Sequence, residues 1–180
     1  AYLMSKLNPM QLVTLMQKFG IDSPDIHPSM ALCLGPCDVS VGEMVSAYTA
    51  FANNGIRCAP IFVTRIEDNE GNVIASFQPR MTEVISQEGT YKMLDMLQAV
   101  IQGGTGSRLR YKFNIEGQIA GKTGTSESIA GSNKGNTLSY VAVAPSENPA
   151  FVALVVLYNT PTTQAQGSTV AGPIMSNILS

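Results

Sequence analysis

The chain has 180 residues, 44% of them hydrophobic, with 11 basic and 13 acidic side chains and a formal charge of −2. Its length suits one domain or a part of one, and an acidic balance with a pI near 5.3 excludes the basic stripe that a nucleic-acid partner needs. One histidine, His27, and three cysteines exclude a zinc site built on several imidazoles, a four-thiolate site and a disulfide-framework fold, so no metal and no cofactor is implied.

The first half reads as helical. Asn8 caps a helix that opens at Pro9, carries Leu12, Leu15, Met16 and Phe19 on one stripe, and stops at Gly20. A loop rich in Pro and Asp runs from Asp22 to Asp38. Ser40 with Glu43 forms a capping box for a second helix, with Met44, Ala47, Tyr48 and Phe51 as its stripe and Asn53-Asn54-Gly55 as its end. A hairpin follows, Ile61–Glu67 and Asn72–Phe77 around Asp68-Asn69-Glu70-Gly71. A third helix spans about Gln87 to Gln102, with Met93, Leu97, Val100 and Ile101 on one side, and Gly103-Gly104-Thr105-Gly106 breaks it.

The last third changes to strands. Gln118–Thr123 is a short strand, and Leu138–Ala144 pairs antiparallel with Phe151–Tyr158 across Pro145-Ser146-Glu147-Asn148-Pro149. Phe151–Tyr158 does not alternate, as expected of a strand covered on both faces. Its eight residues are also the longest dense apolar run, against the ~18 to 20 that a membrane span needs. Val170, Ile174 and Ile178 mark a closing helix with Pro173 expected in its first turn, and Glu127–Asn136 is expected to be a mobile loop. The layout is α+β, an antiparallel sheet flanked by helices.

Ala120-Gly121-Lys122-Thr123-Gly124-Thr125 is the most informative string. As a phosphate loop it fails: the first glycine of that motif would fall at position 116, which is Glu. Gly124, Ser126, Ser128 and Gly131 downstream are also poor material for the helix N-terminus that holds a phosphate. As the Lys-Thr-Gly of serine acyl-transferases it fits a strand edge. Gly124 lets a substrate backbone approach, Lys122 supplies fixed charge, and the threonine hydroxyls can hold a carboxylate.

The context resembles penicillin-binding transpeptidases. Asp38 to Tyr48 with Phe51-Ala52-Asn53-Asn54-Gly55 is similar to the helix before the active-site strands in class A members. Pro60 to Ile66, the Asp-Asn-Glu-Gly hairpin, and Gly103-Gly104-Thr105-Gly106 with Arg108 continue the likeness. From Leu138 onward, Val141 to Pro145, Phe151 to Leu157 and Gly167 to Pro173 look more like class B, so a natural intermediate and an engineered or spliced join both stay open. The family uses Ser-x-x-Lys, then Ser-x-Asn, then Lys-Thr-Gly. No Ser-x-x-Lys occurs here, and the only Ser-x-Asn, Ser146-Glu147-Asn148, lies after the Lys-Thr-Gly and is taken as a decoy. Ala1-Tyr2-Leu3-Met4 looks like the residues just after the true Ser-x-Asn.

The resemblance therefore implies a C-terminal portion of one transpeptidase domain: helical over 1–58, a hairpin over 60–78, a helix over 87–102, strands over 118–158 and a closing helix over 168–180. The sparse charge, 13% of residues, and a first residue that is not Met agree with a processed or excised piece. It implies cross-linking of peptidoglycan stem peptides ending in D-Ala-D-Ala through an acyl-enzyme, acylation by β-lactam antibiotics, and an extracytoplasmic location with the membrane anchor elsewhere. Lys122 and Thr125 would be catalytic, the latter through its backbone N–H in the oxyanion hole, and Thr123, Gly124 and Thr125 would bind substrate. With no nucleophile the piece is expected to be inactive without the missing N-terminal part of the domain. The alternative is a non-catalytic half-domain that binds a complementary chain; a β-lactamase would need a positioned carboxylate that no motif reveals. His27 reads as a solvated loop residue, Cys33 and Cys37 as either a redox pair or free half-buried thiols with Cys58 left over, and Gly103–Gly106 as an anion nest or a helix stop under the Lys-Thr-Gly strand.

Overall fold

The computed structural model describes residues 2–127, 135–161 and 166–180; Ala1 and most of the loop expected over Glu127–Asn136 lie outside the described residues. The chain divides into two compact units, one made of Ala1–Ala50 with Gly55–Ile85, the other of Phe51–Asn54 with Ser86–Ser180. The architecture is α+β, with antiparallel sheets and helices.

In the first unit, α1 (Pro9–Lys18) starts as its cap predicts, with the Asn8 side chain accepting from the Met10 amide at 3.0 Å. Val13 and Phe19 are its buried positions, while Leu15 faces solvent. At the start of α2 (Val41–Ala52) the capping box forms: Glu43 accepts from the Ser40 amide and hydroxyl, and the Ser40 hydroxyl accepts from the Glu43 amide. Those bonds hold the Glu43 carboxyl below its usual range, the Ser40 hydroxyl contributing most.

Helix α2 is followed by β1 (Ile56–Cys58), which pairs with β4 (Met81–Glu83), so the stretch expected to be helical to residue 58 ends in a strand. Two α2 hydroxyls account for this: Ser46 donates to the Cys58 carbonyl at 3.0 Å and Thr49 accepts from the Cys58 amide at 2.9 Å. The hairpin is shorter than its sequence suggests, β2 (Arg65–Glu67) with β3 (Val73–Ser76), and its turn is closed by Asp68 accepting from the Glu70 and Asn72 amides.

The second unit is built on a three-stranded antiparallel sheet, β5 (Ala120–Ser126), β6 (Asn136–Ala144) and β7 (Phe151–Thr160), in the order β5-β6-β7. One face, carrying Tyr140, Ala142, Ala144 and Val155, packs against Ile101 of α3 (Gln87–Gln102), Leu109 of α4 (Arg108–Tyr111), and Ala171 and Met175 of α5 (Gly167–Leu179). The doubly covered strand is β6, buried at every position from Tyr140 to Ala144. The expectation for Phe151–Tyr158 is corrected here: among the described residues β7 is an edge strand, with Phe151 43% and Tyr158 67% exposed. Only the face of β7 that carries Val155, with Ala153 and Leu157, is covered.

Helix α5 corrects two further expectations. Its buried face is Gly167, Ser168, Ala171, Gly172 and Met175, whereas Val170, Ile174 and Ile178 are exposed. Small residues at the contact let the helix lie close on β6, so the bulky stripe is turned outward. Pro173 is also interior rather than in the first turn. It removes one backbone bond, which burial of Ala171 and Met175 outweighs.

Candidate functional site

All of Ala120–Ser126 lies in β5, so the strand expected to end at Thr123 carries the whole Lys-Thr-Gly-Thr string. Strand β5 is an edge, paired with β6 on one side only among the described residues, with Gly121↔Ala142, Lys122↔Val141, Thr123↔Tyr140, Gly124↔Ser139 and Thr125↔Leu138. The alternation of a strand sends Thr123 and Thr125 to one face and Lys122 and Gly124 to the other. An edge of this kind presents unpaired backbone groups to an extended peptide.

Lys122 is exposed, and its Nζ donates to the Thr123 carbonyl at 2.7 Å. Among the described residues it has no carboxylate partner, so its charge stays available to an incoming anion. Thr123 is only 8% exposed, and its hydroxyl lies 2.7 Å from that of Thr105. Thr125 is exposed, with its Oγ1 accepting weakly from the Gly167 amide at 3.4 Å.

Gly167 and Gly124, beside these side chains, differ in how strictly glycine is required. A Cβ on Gly167 would stand 2.6 Å from the Ser139 carbonyl and 2.7 Å from that of Gly124, both backbone atoms that cannot step aside. A Cβ on Gly124 would stand 2.3 Å from the Ser139 hydroxyl, a softer obstacle. The first turn of α5 therefore rests directly on β5 and β6 beside the threonines.

The Gly103–Gly106 segment is a helix stop that packs against the β5–β6 pair. The Tyr140 hydroxyl donates to the Gly106 carbonyl at 2.9 Å, and Thr105 reaches Thr123. Burial pushes the Tyr140 hydroxyl far above the usual tyrosine range, with the Arg110 charge opposing it to a lesser degree.

Other candidates separate from this group. Ser146 is 3% exposed, accepts from Gln98 Nε2 at 2.6 Å, and donates its amide to the Gln118 carbonyl at 2.8 Å. Gln118 lies four residues before Lys122, about 13 Å along an extended chain, so Ser146 stands apart from the Lys-Thr-Gly-Thr string. His27 is exposed in its loop. Cys33, Cys37 and Cys58 are free thiols, and burial, then Asp25 and Asp38, raise the Cys37 pKa. Among the described residues no cluster of His, Cys, Asp or Glu could hold a metal, and no helix is long and apolar enough to cross a membrane. Thr105 and Gly167 lie in strings that the sequence reading singled out, though without their contacts to the strand; Ser139 is the residue that motif reading missed, since it meets the strand through a long-range contact with no local signature.

Comparisons with known proteins bear on the family and the fold. A family model described as the penicillin binding protein transpeptidase domain matches residues 26–180. Penicillin-binding protein 1A of Clostridium novyi is 35% identical over 114 residues, 61% of this chain and 13% of that protein. Penicillin-binding protein 1A of Aquifex aeolicus is 36% identical over 111 residues, 62% of this chain and 15% of that protein. The chain thus spans a minor part of these relatives. Among solved structures, the D,D-transpeptidase domain of a peptidoglycan glycosyltransferase from Eggerthella lenta superposes with a TM-score of 0.69 at 23% identity, over 99% of this chain and 51% of that one. Penicillin binding protein 3 of Mycobacterium tuberculosis, complexed with ampicillin, gives 0.76 at 21% identity, over 97% and 45%. At these identities the likeness is one of fold.

Proposed function

The chain belongs to the penicillin-binding protein transpeptidase family, and on that premise we propose that it supplies the Lys-Thr-Gly strand of a peptidoglycan D,D-transpeptidase that β-lactams acylate. The observation that carries this reading is the edge strand itself: Lys122, Thr123, Gly124 and Thr125 stand in register on β5 with one side unpaired among the described residues.

In this reading a stem peptide ending in D-Ala-D-Ala lies along the free edge of β5, and Gly124 leaves room for its backbone. A serine hydroxyl attacks the penultimate D-Ala carbonyl and loses its proton to a base. The terminal D-Ala leaves as the amine, and the amine of a second stem peptide then displaces the serine. Lys122 contributes positive charge near the substrate carboxylate and the exposed Thr125 hydroxyl grips it, while Thr123, expected to share that role, is buried with its hydroxyl on that of Thr105. The Thr125 backbone N–H is one oxyanion donor, a role worth about 3 to 4 kcal/mol.

No residue of this chain matches the nucleophile motif, so the serine and its lysine base come from outside these 180 residues. The chain acts as the C-terminal portion of one transpeptidase domain, on the extracytoplasmic face of a bacterial membrane. Fluorescent penicillin tests the reading. The domain that contains this chain should be labelled covalently and the chain alone should not; a covalent adduct on the isolated chain would overturn the division of roles.

A further inference from the structure

Beside the threonine face of β5, outside the Lys122–Thr125 group, lies a cleft of about 550 Å³ lined by Thr105, Arg108, Tyr111, Gln166, Ser168 and Thr169, among others. We propose that this cleft binds a carboxylate, as a second anionic subsite distinct from Lys122, Thr123 and Thr125, none of which lines it. The inference goes beyond the proposed transpeptidase role and does not depend on it.

Three independent features converge there. Arg108 has no acidic partner among the described residues; its only side-chain bond there is from Nε to the Tyr111 hydroxyl at 3.3 Å, which leaves the guanidinium end uncommitted. Ser168 is only 6% exposed, yet its hydroxyl has no hydrogen-bond partner among the described residues. No fully enclosed side-chain polar atom is left unbonded among them, so the Ser168 Oγ keeps its access through the cleft. That hydroxyl is therefore free to exchange water for a ligand oxygen entering the cleft. Finally, Ser168 sits in the first turn of α5, a 13-residue helix whose N-terminal end carries partial positive charge.

The geometry favours a carboxylate over a phosphate. One guanidinium, one hydroxyl donor and a helix end match a planar monoanion, with the Arg108 fork able to hold both oxygens. A dianion would leave charge uncompensated. The carboxylate can be that of a free acid or one borne by a peptide.

The test uses the full chain labelled with 15N, titrated with acetate, inorganic phosphate, and an acetylated tripeptide with a free or an amidated C-terminus. Acetate and the free-acid peptide should shift the amides of Gly104, Thr105, Ser168 and Thr169 saturably, the amidated peptide should not, and phosphate should bind no tighter than acetate. Arg108→Gln should weaken acetate binding about tenfold or more, and Ser168→Ala should weaken it with the fold intact. A peptide that shifts these amides more tightly than acetate identifies a peptide-borne carboxylate as the ligand; equal affinities identify a free acid. Absence of saturable shifts, or shifts that survive Arg108→Gln, would overturn the proposal. Penicillin labelling of the parent domain reads the transpeptidase role separately, so either can fail alone.

Discussion

The hydroxyls of Thr105 and Thr123 stand 2.7 Å apart, joining the loop after α3 to the middle of β5. Thr123 is nearly buried, so the bond fixes which way its hydroxyl points. Thr105→Val keeps the shape and deletes the bond. It should cost about 1 kcal/mol of stability and slow β-lactam acylation of the parent domain up to roughly tenfold, with Thr105→Ser restoring both. Stopped-flow acylation against urea unfolding checks this; a Val variant with the wild-type acylation rate would remove Thr105 from the positioning role.

Gly167 and Gly124 make a graded pair. Gly167→Ala drives a methyl against two backbone carbonyls and should destabilise the second unit by about 1 to 3 kcal/mol. Gly124→Ala meets only a serine hydroxyl that can rotate, so its thermal shift should be smaller while its effect on acylation is larger. Calorimetry and labelling on both variants read the two orders; a reversed stability order contradicts the packing of α5 on the sheet.

Tyr140 sets an upper pH boundary. Its pKa is raised by burial, so above about pH 10 the unfolded chain releases the phenolic proton while the folded one retains it. Stability is therefore full below that pH and declines as pH rises beyond it. Tyr140→Phe removes this residue's share of the slope, although Tyr48, also pushed up by burial, keeps a share of its own. Urea midpoints at pH 8, 9.5 and 10.5 should converge for the two proteins as pH rises; parallel lines would contradict the account.

Ser146→Ala separates the look-alike motif from the site. It removes the acceptor for Gln98 and should cost about 1 to 2 kcal/mol, with acylation of the parent domain unchanged. A large loss of acylation at unchanged stability would restore Ser146 as a functional residue.

Much of this molecule is legible from local chemistry. The Asn8 cap, the Ser40–Glu43 box and the Asp68 turn all form because each bond spans at most four residues. The Lys-Thr-Gly string was likewise readable as an edge-strand motif, although its strand runs on to Ser126. What local pattern hides is which apolar surface is covered. Phe151–Tyr158 reads as a buried strand, yet among the described residues the strand order places it at an edge and β6 at the centre. Val170, Ile174 and Ile178 read as the core stripe of α5, yet the close approach demanded at Gly167 turns the small residues inward. The segment Gly103–Gly106 is legible as a stop under the Lys-Thr-Gly strand, but the pairing of Thr105 with Thr123, 18 residues away, is not, because only the tertiary fold selects that partner.

The central claim is that β5 presents Lys122 as a fixed charge to the substrate. The direct measurement is the acylation rate of the transpeptidase domain containing this chain by a fluorescent penicillin, wild type against Lys122→Ala, with melting temperature as control. Lys122 is exposed and its Nζ meets only the neighbouring Thr123 carbonyl among the described residues, so stability should change by less than about 0.5 kcal/mol. Acylation should slow by about 10² to 10³. An unchanged rate in a folded variant would contradict the account.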